Sequence, residues 1–127
     1  MTTLKRVMIA HPMSGDIEGN TAKVVAICRA IHSEEAMPVF PSFTTRRYLT
    51  DDPHDRELAA IHIREYLKSG FVHELWLYGG RITPGMWREI RTAREFGIPV
   101  VAKTPATAAE LHLHDDATKS GGISTCP

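Results

Sequence analysis

"FVHELWLYGGRITPGMWREIRTAREFGIPVVA", residues 71–102, reads as strand, turn, helix and strand in succession. Its first part, FVHELWLYG (71–79), is a run of bulky and aromatic residues closed by Gly79-Gly80, the pattern of a strand with a turn behind it. From about 84 to 96 the residues Met86, Ile90 and Ala93 recur on one helical face, in line with Gly97, which stops the helix. IPVVA (98–102) then supplies another buried strand. A strand, a helix and a second strand in this order join parallel strands through a right-handed crossover.

The same alternation extends towards the N-terminus. LKRVMIA (4–10) is a nearly continuous apolar run, suited to a central strand covered on both faces. HPMSGDIEGN (11–20) is a polar, glycine-bearing loop, and Asn20 is the expected cap of a helix running to about 36. Val24, Ile27, Cys28 and Ile31 give that helix one buried face. MPVFP (37–41) is a brief strand hemmed by prolines and expected at a sheet edge. SFTTRRYLTD (42–51) shows no period and reads as a polar loop. Asp52-Pro53 is a helix start, and Leu58, Ala59, Ile61, Ile63, Tyr66 and Leu67 supply an apolar side as far as Ser69-Gly70. The expected fold is therefore α/β, a Rossmann-like (flavodoxin-like) three-layer sandwich on a mostly parallel sheet of about four to five strands. Residues 1–104 form the domain; 105–127 read as an extension, with a short helix in PATAAELHLH and a mobile tail in DDATKSGGISTCP.

Bulk properties exclude several function classes. The chain has 127 residues, which suits one domain, and its 15 basic and 15 acidic side chains cancel. No global field draws it to nucleic acid or to an anionic membrane. No apolar run reaches membrane-spanning length, and the N-terminus lacks the pattern of a signal peptide, so a cytoplasmic location is expected. Cys28 and Cys126 read as plain thiols rather than a staple. His112, His114 and Asp115 lack further ligands at metal-site spacing, so a metal is not expected; nor is an organic cofactor expected.

In such a sheet ligands bind beyond the carboxyl ends of the strands, here beside loops 11–20, 41–52 and 79–86. The first and last of these lead into helix N-termini, where free N–H groups favour an anion such as a phosphate. His11 can hydrogen-bond a ligand from the strand end, the neighbouring Arg46 and Arg47 can grip a phosphate, and Trp87 or Tyr48 can stack on a base. His73, Trp76 and Trp87 also fit plain structural packing. Glu89 is the anomaly. Its helical neighbours, Gly85, Met86, Thr92 and Ala93, include no base, whereas Glu95 has Arg91 four residues earlier as a ready partner. A carboxylate favoured by the helix dipole and a carboxylate aimed at a ligand both fit this position.

Three segments, RVMIAHPMSG, HELWLYGG and ITPGMWREIRTAREFGIPV, give the chain a resemblance to the nucleoside 2-deoxyribosyltransferase superfamily and its nucleotide N-glycosidases over about residues 5–102. The resemblance implies that Glu89 attacks the anomeric carbon of a sugar, and that His11, Pro12, Met13, Ser14 and Gly15 of the first loop hold the sugar and any 5'-phosphate. It also implies that Thr83, Gly85 and Met86 line the sugar site. With Asn20 and Arg47 these make up the expected substrate-binding set. A helix N-terminus would keep Glu89 ionised. The resemblance further implies a homo-oligomer acting on a small nucleoside or nucleoside 5'-monophosphate, with neither a nucleic-acid nor a membrane partner. Thr83 stands where transferases of that family often carry an aspartate, which leans towards a nucleotide. His73 stands where an acid commonly precedes the strand, and Arg64 takes the place of the aspartate that handles the base; Asp51, Asp55 and Glu57 are the substitutes within reach. The alternative is a non-catalytic module that binds a nucleotide in the same crevice. An electron carrier is disfavoured because the first loop lacks a Ser/Thr-rich phosphate cradle.

Overall fold

The computed structural model describes residues 3–120, with side chains described as far as residue 118. In chain order the elements are β1 (Lys5–Ala10), α1 (Ile17–Ile31), β2 (Ala36–Val39), α2 (Ser42–Thr45), α3 (Pro53–Lys68), β3 (Glu74–Leu77), α4 (Pro84–Glu95), β4 (Val100–Ala102) and α5 (Pro105–Ser120). All described strand pairs are parallel, in the order β2-β1-β3-β4, with Val7 opposite Pro38, Ile9 opposite Trp76 and Trp76 opposite Val101.

β1 is central because its apolar residues face both ways. Met8 and Ala10 join the core beneath α3 and α4, with Leu67, Leu75, Leu77, Met86 and Ile90, whereas Val7 and Ile9 pack with Val24 of α1 on the other face. Successive residues of a strand point to opposite faces, so one short segment anchors both layers. The chain moves one way from β1 to β2 and the other way through β3 to β4. Right-handed crossovers then require α1 on one face and α3 and α4 on the other, as observed. This is the three-layer α/β sandwich that the alternation of elements predicts, with β2 at an edge.

Several boundaries differ from the sequence reading. α1 begins at Ile17 because the carboxylate of Asp16, not Asn20, caps it, accepting the Gly19 N–H at 3.0 Å. Asn20 lies inside the first turns and donates from its side-chain amide to the Met13 carbonyl at 3.2 Å. That helix ends at Ile31 rather than near 36. Residues 42–51 are not wholly irregular, since Ser42–Thr45 close a helical turn. Asp52 and Pro53 do start α3, the Asp52 carboxylate accepting from the Asp55 N–H at 2.8 Å. Its apolar side is narrower than the pattern suggests: Leu67 is buried and Ile63 packs on the core, but Ile61 and Tyr66 are exposed.

The largest difference is α5, a helix of 16 residues where a short helix and a mobile tail were expected. Residues 115–120 of that tail are helical, and its remainder, Cys126 included, lies outside the described residues. α5 is tied to the rest of the fold by long-range contacts. Thr107 is fully buried and its hydroxyl donates to the Leu77 carbonyl at 3.4 Å, Leu111 packs on the main core, and Arg94 meets Asp115 through two bonds of 3.0 Å. The Trp87 and His114 rings lie 4.5 Å apart, so Trp87 packs rather than reaching towards a ligand. His73 is structural as well: its ring nitrogen accepts from the Arg6 N–H at 2.9 Å. Trp76 is half-buried on the α1 face, donating to Glu74 at 2.8 Å with the Lys103 ammonium 3.8 Å above its ring.

Candidate active site

β1 and β3 are neighbours, and from them the chain departs in opposite directions, which opens a crevice between the two loops that follow. The first loop is pinned at its start. His11 is buried, with its Nδ1 2.7 Å from the Pro12 carbonyl oxygen, and the Pro12 ring lies against Gly79. A Cβ on Gly79 would stand 2.6 Å from Pro12 Cδ, and its φ of 99° lies in the left-handed region, so glycine is required for the two loops to approach. In the second loop the Ile82 N–H donates to the Glu110 carboxylate of α5. Thr83 then caps α4 by accepting the Met86 N–H at 3.2 Å, with Pro84 in the first turn.

These loops, together with α2 and α3, wall a cavity of ≈ 710 Å³. Glu89 lines it, as do His11, Met13, Ser14, Thr83, Gly85 and Met86 of the expected set. Four expected residues are not in its wall. Pro12 packs on Gly79, Gly15 makes the turn with a φ of 95°, Asn20 braces the first loop through Met13, and Arg47 is exposed outside the cavity while its neighbour Arg46 lines it. Neither proposed stacking aromatic borders it; Tyr48 is exposed beside a separate hollow between α2 and α3, and Phe40 is the aromatic residue that does line the cavity.

Glu89 is the sixth residue of α4, beyond the first turn, where the helix dipole fades. Among the described residues its carboxyl has neither a hydrogen-bond nor an ion-pair partner; the adjacent Arg88 is directed to Glu57 at 3.6 Å. Glu89 is half-buried, open on the cavity side and enclosed by protein on the others. Burial, with no compensating charge, pushes its pKa up from 4.5 to about 8. This runs against the expectation that a helix N-terminus keeps Glu89 ionised: the residue lies beyond the first turn of α4, and burial raises its pKa. Glu95, for its part, pairs with Arg64 of α3 through bonds of 2.8 and 3.1 Å, not with Arg91.

The first loop also differs electrostatically from the reading of its sequence. The N-terminus of α1 is already occupied by the Asp16 carboxylate, and that of α3 by Asp52, so neither is a vacant anion cradle. The positive charge of the cavity comes instead from arginines: Arg46, Arg56, Arg64, Arg81 and Arg88 all line it. Among these, only Arg46 and Arg64 stand out in the sequence. Of the three acids placed within reach, Asp51 and Glu57 line the wall, whereas Asp55 is turned to Thr50, accepting from its N–H at 2.7 Å. No described helix is long and apolar enough to cross a membrane, and no group of three or more His, Cys, Asp and Glu that could hold a metal occurs among the described residues.

Fold and cavity together define the class: a Rossmann-like α/β domain with an open, acid-bearing crevice at the switch point of its parallel sheet. The chain matches, over residues 5–103, the family described as a domain of unknown function, DUF7768, and it belongs to that family. No curated protein and no solved structure matches it.

Proposed function

We propose that the protein cleaves, or transfers at, the N-glycosidic bond of a nucleoside or nucleoside 5'-monophosphate, with Glu89 as nucleophile. The observation that carries the reading is the lone Glu89 carboxyl, partnerless among the described residues and facing a cavity of nucleoside size. A half-buried carboxyl with no partner costs stability, and such groups concentrate at sites where the chemistry needs them. In the proposed step an ionised Glu89 oxygen attacks the anomeric carbon as the carbon–nitrogen bond breaks, and the bonding electrons leave with the base. The base takes a proton from water or from a nearby acid. Of the two other acids in the wall, Asp51 has no partner among the described residues, and Glu57 faces Arg88 at 3.6 Å. Water, or a second base, then attacks the same carbon and releases Glu89. Thr83 and Gly85 at the start of α4 fit close against the sugar because neither carries a bulky side chain. The resemblance extends this proposal to a homo-oligomer.

The test is incubation with a mixture of ribo- and deoxyribonucleosides and their 5'-monophosphates, with free base followed by chromatography. Base release that falls by at least about a thousandfold in Glu89→Gln is expected for a lost nucleophile. A second reading, binding without turnover, has one observation in its favour: burial keeps most of Glu89 protonated at neutral pH, so it can donate a hydrogen bond to a ligand. Ligand binding without base release, equal in the wild-type protein and Glu89→Gln, would replace the catalytic reading with that one.

A further inference from the structure

The five arginines of the cavity are not equivalent. Arg64 is committed to Glu95 in a bidentate pair, and Arg88 faces Glu57. Arg46, Arg56 and Arg81 have no acidic partner among the described residues, and all three are exposed. They come from three separate segments, the C-terminal end of α2, the first turn of α3 and the loop between β3 and α4, so they border the cavity from different walls. Against them, apart from Glu89, stands one unpaired acid of the wall, Asp51, which leaves a local positive excess in a chain of zero formal net charge. Local charge of this kind, unneeded by the fold, fits a ligand that brings its own negative charge.

Donor number indicates how much. A guanidinium presents a planar fork that pairs with two oxygens of a phosphate. Three forks supply about six directed N–H groups, twice what the three terminal oxygens of one phosphoryl group take up singly, and close to the five terminal oxygens of a diphosphate ester. The helix N-termini on the α1 and α3 sides are satisfied by Asp16 and Asp52 and do not compete for the anion. Phe40, Leu49 and Ile63 leave an apolar stretch of wall for the remainder of the ligand.

We infer that the cavity takes a nucleoside diphosphate, its two phosphates clamped by Arg46, Arg56 and Arg81. This rests on the reading of the cavity as a nucleoside site and extends it from a nucleoside or monophosphate to a diphosphate ester. The test uses the full chain carrying Glu89→Gln, so that turnover cannot obscure binding. Inorganic phosphate and pyrophosphate are titrated calorimetrically at low salt, followed by the nucleoside, 5'-monophosphate and 5'-diphosphate of each common base. Pyrophosphate is expected to bind at least about tenfold more tightly than phosphate, and the diphosphate about tenfold more tightly than the monophosphate, with both preferences shrinking as salt rises. Arg46→Ala, Arg56→Ala and Arg81→Ala each lower pyrophosphate affinity about tenfold, Arg56→Lys lowers it less, and Arg29→Ala on the exposed side of α1 leaves it unchanged. Thermal melting confirms that each variant is folded. Equal affinity for phosphate and pyrophosphate, or a monophosphate bound as tightly as the diphosphate, overturns the inference. Diphosphate preference without base release by the wild-type protein leaves this inference standing and removes the glycosidase. Base release without any diphosphate preference does the reverse.

Discussion

Replacing Glu89 with glutamine should make the protein more stable at neutral pH, and the gain should grow with pH. The carboxyl binds its proton about three and a half pK units more tightly in the fold, at about 8, than at the ordinary value of 4.5. Between those two values the unfolded chain has lost the proton and the folded chain keeps it, so folding takes up a proton and stability falls as pH rises. Below about 4.5 both states are protonated and the cost is absent; above about 8 both are ionised and the cost is complete. Each unit is worth about 1.4 kcal/mol, which puts the penalty at pH 7 near 3 kcal/mol, a ceiling because the carboxyl is still open on its cavity side. Glutamine keeps the shape and cannot ionise. Glu89→Gln should therefore match the wild-type protein near pH 4 and melt up to about 10 °C higher at pH 7. Denaturant titrations of both proteins at pH 4, 5.5, 7 and 8 test this. A stability difference that stays within about 0.5 kcal/mol throughout, or that favours the wild-type protein as pH rises, would mean that Glu89 is solvated or paired, and the argument for its role would collapse.

Four further outcomes are expected. If Glu89 attacks as the carboxylate, kcat/KM should rise about tenfold from pH 6 to 7 and level off above about 8, the pKa that burial sets; a flat profile excludes that ionisation from the reaction. Gly79→Ala places a methyl group 2.6 Å from Pro12 Cδ at a φ of 99°, so it should cost about 1–3 kcal/mol in urea unfolding and weaken ligand binding by moving the first loop. Thr83→Ala should lose the α4 cap and about 1 kcal/mol, and Thr83→Ser should restore most of it; identical melting of the two variants would argue against the cap. Glu110→Ala leaves the Ile82 N–H without its acceptor, and hydrogen exchange at that amide should accelerate while amides in β1 keep their protection.

The parts of this fold legible in the sequence are those fixed by local period. β1, α4 and β4 each carry a pattern that one short window reveals, and Gly97 and Asp52-Pro53 mark helix ends through backbone preferences that hold in any context. Glu89 could be noticed because an acid without a base at helical spacing is a local anomaly as well. Its protonation state was not legible, because that depends on the walls around it and not on its neighbours in the chain. The same limit hid the arginines. Arg56, Arg81 and Arg88 lie on segments that only the sheet order brings around one cavity, and each alone looks like an ordinary surface charge. α5 was underestimated for a related reason. Its hold on the domain comes from Thr107, Leu111, Glu110 and Asp115, whose partners Leu77, Ile82 and Arg94 are far away in sequence.

A raised pKa at the intended nucleophile looks like an argument against catalysis, and its magnitude shows why it is not. At pH 7 ionising a carboxyl of pKa about 8 costs about 1.4 kcal/mol, a tenfold loss in the reactive fraction. Enzymes lower barriers by about 8 kcal/mol or more, so this loss is minor. What burial gives in return acts at the moment of reaction. A carboxylate with few water or protein donors around it interacts weakly with a neutral ground-state sugar and strongly with the positive charge that grows on the anomeric carbon, which is the differential interaction that accelerates a step. In the proposed reaction the arginines at the rim would contribute in the opposite way, by holding phosphate equally in ground and transition states. Arg56→Ala should then raise KM for a phosphorylated substrate with little change in kcat, whereas Glu89→Gln should abolish kcat and leave binding nearly intact.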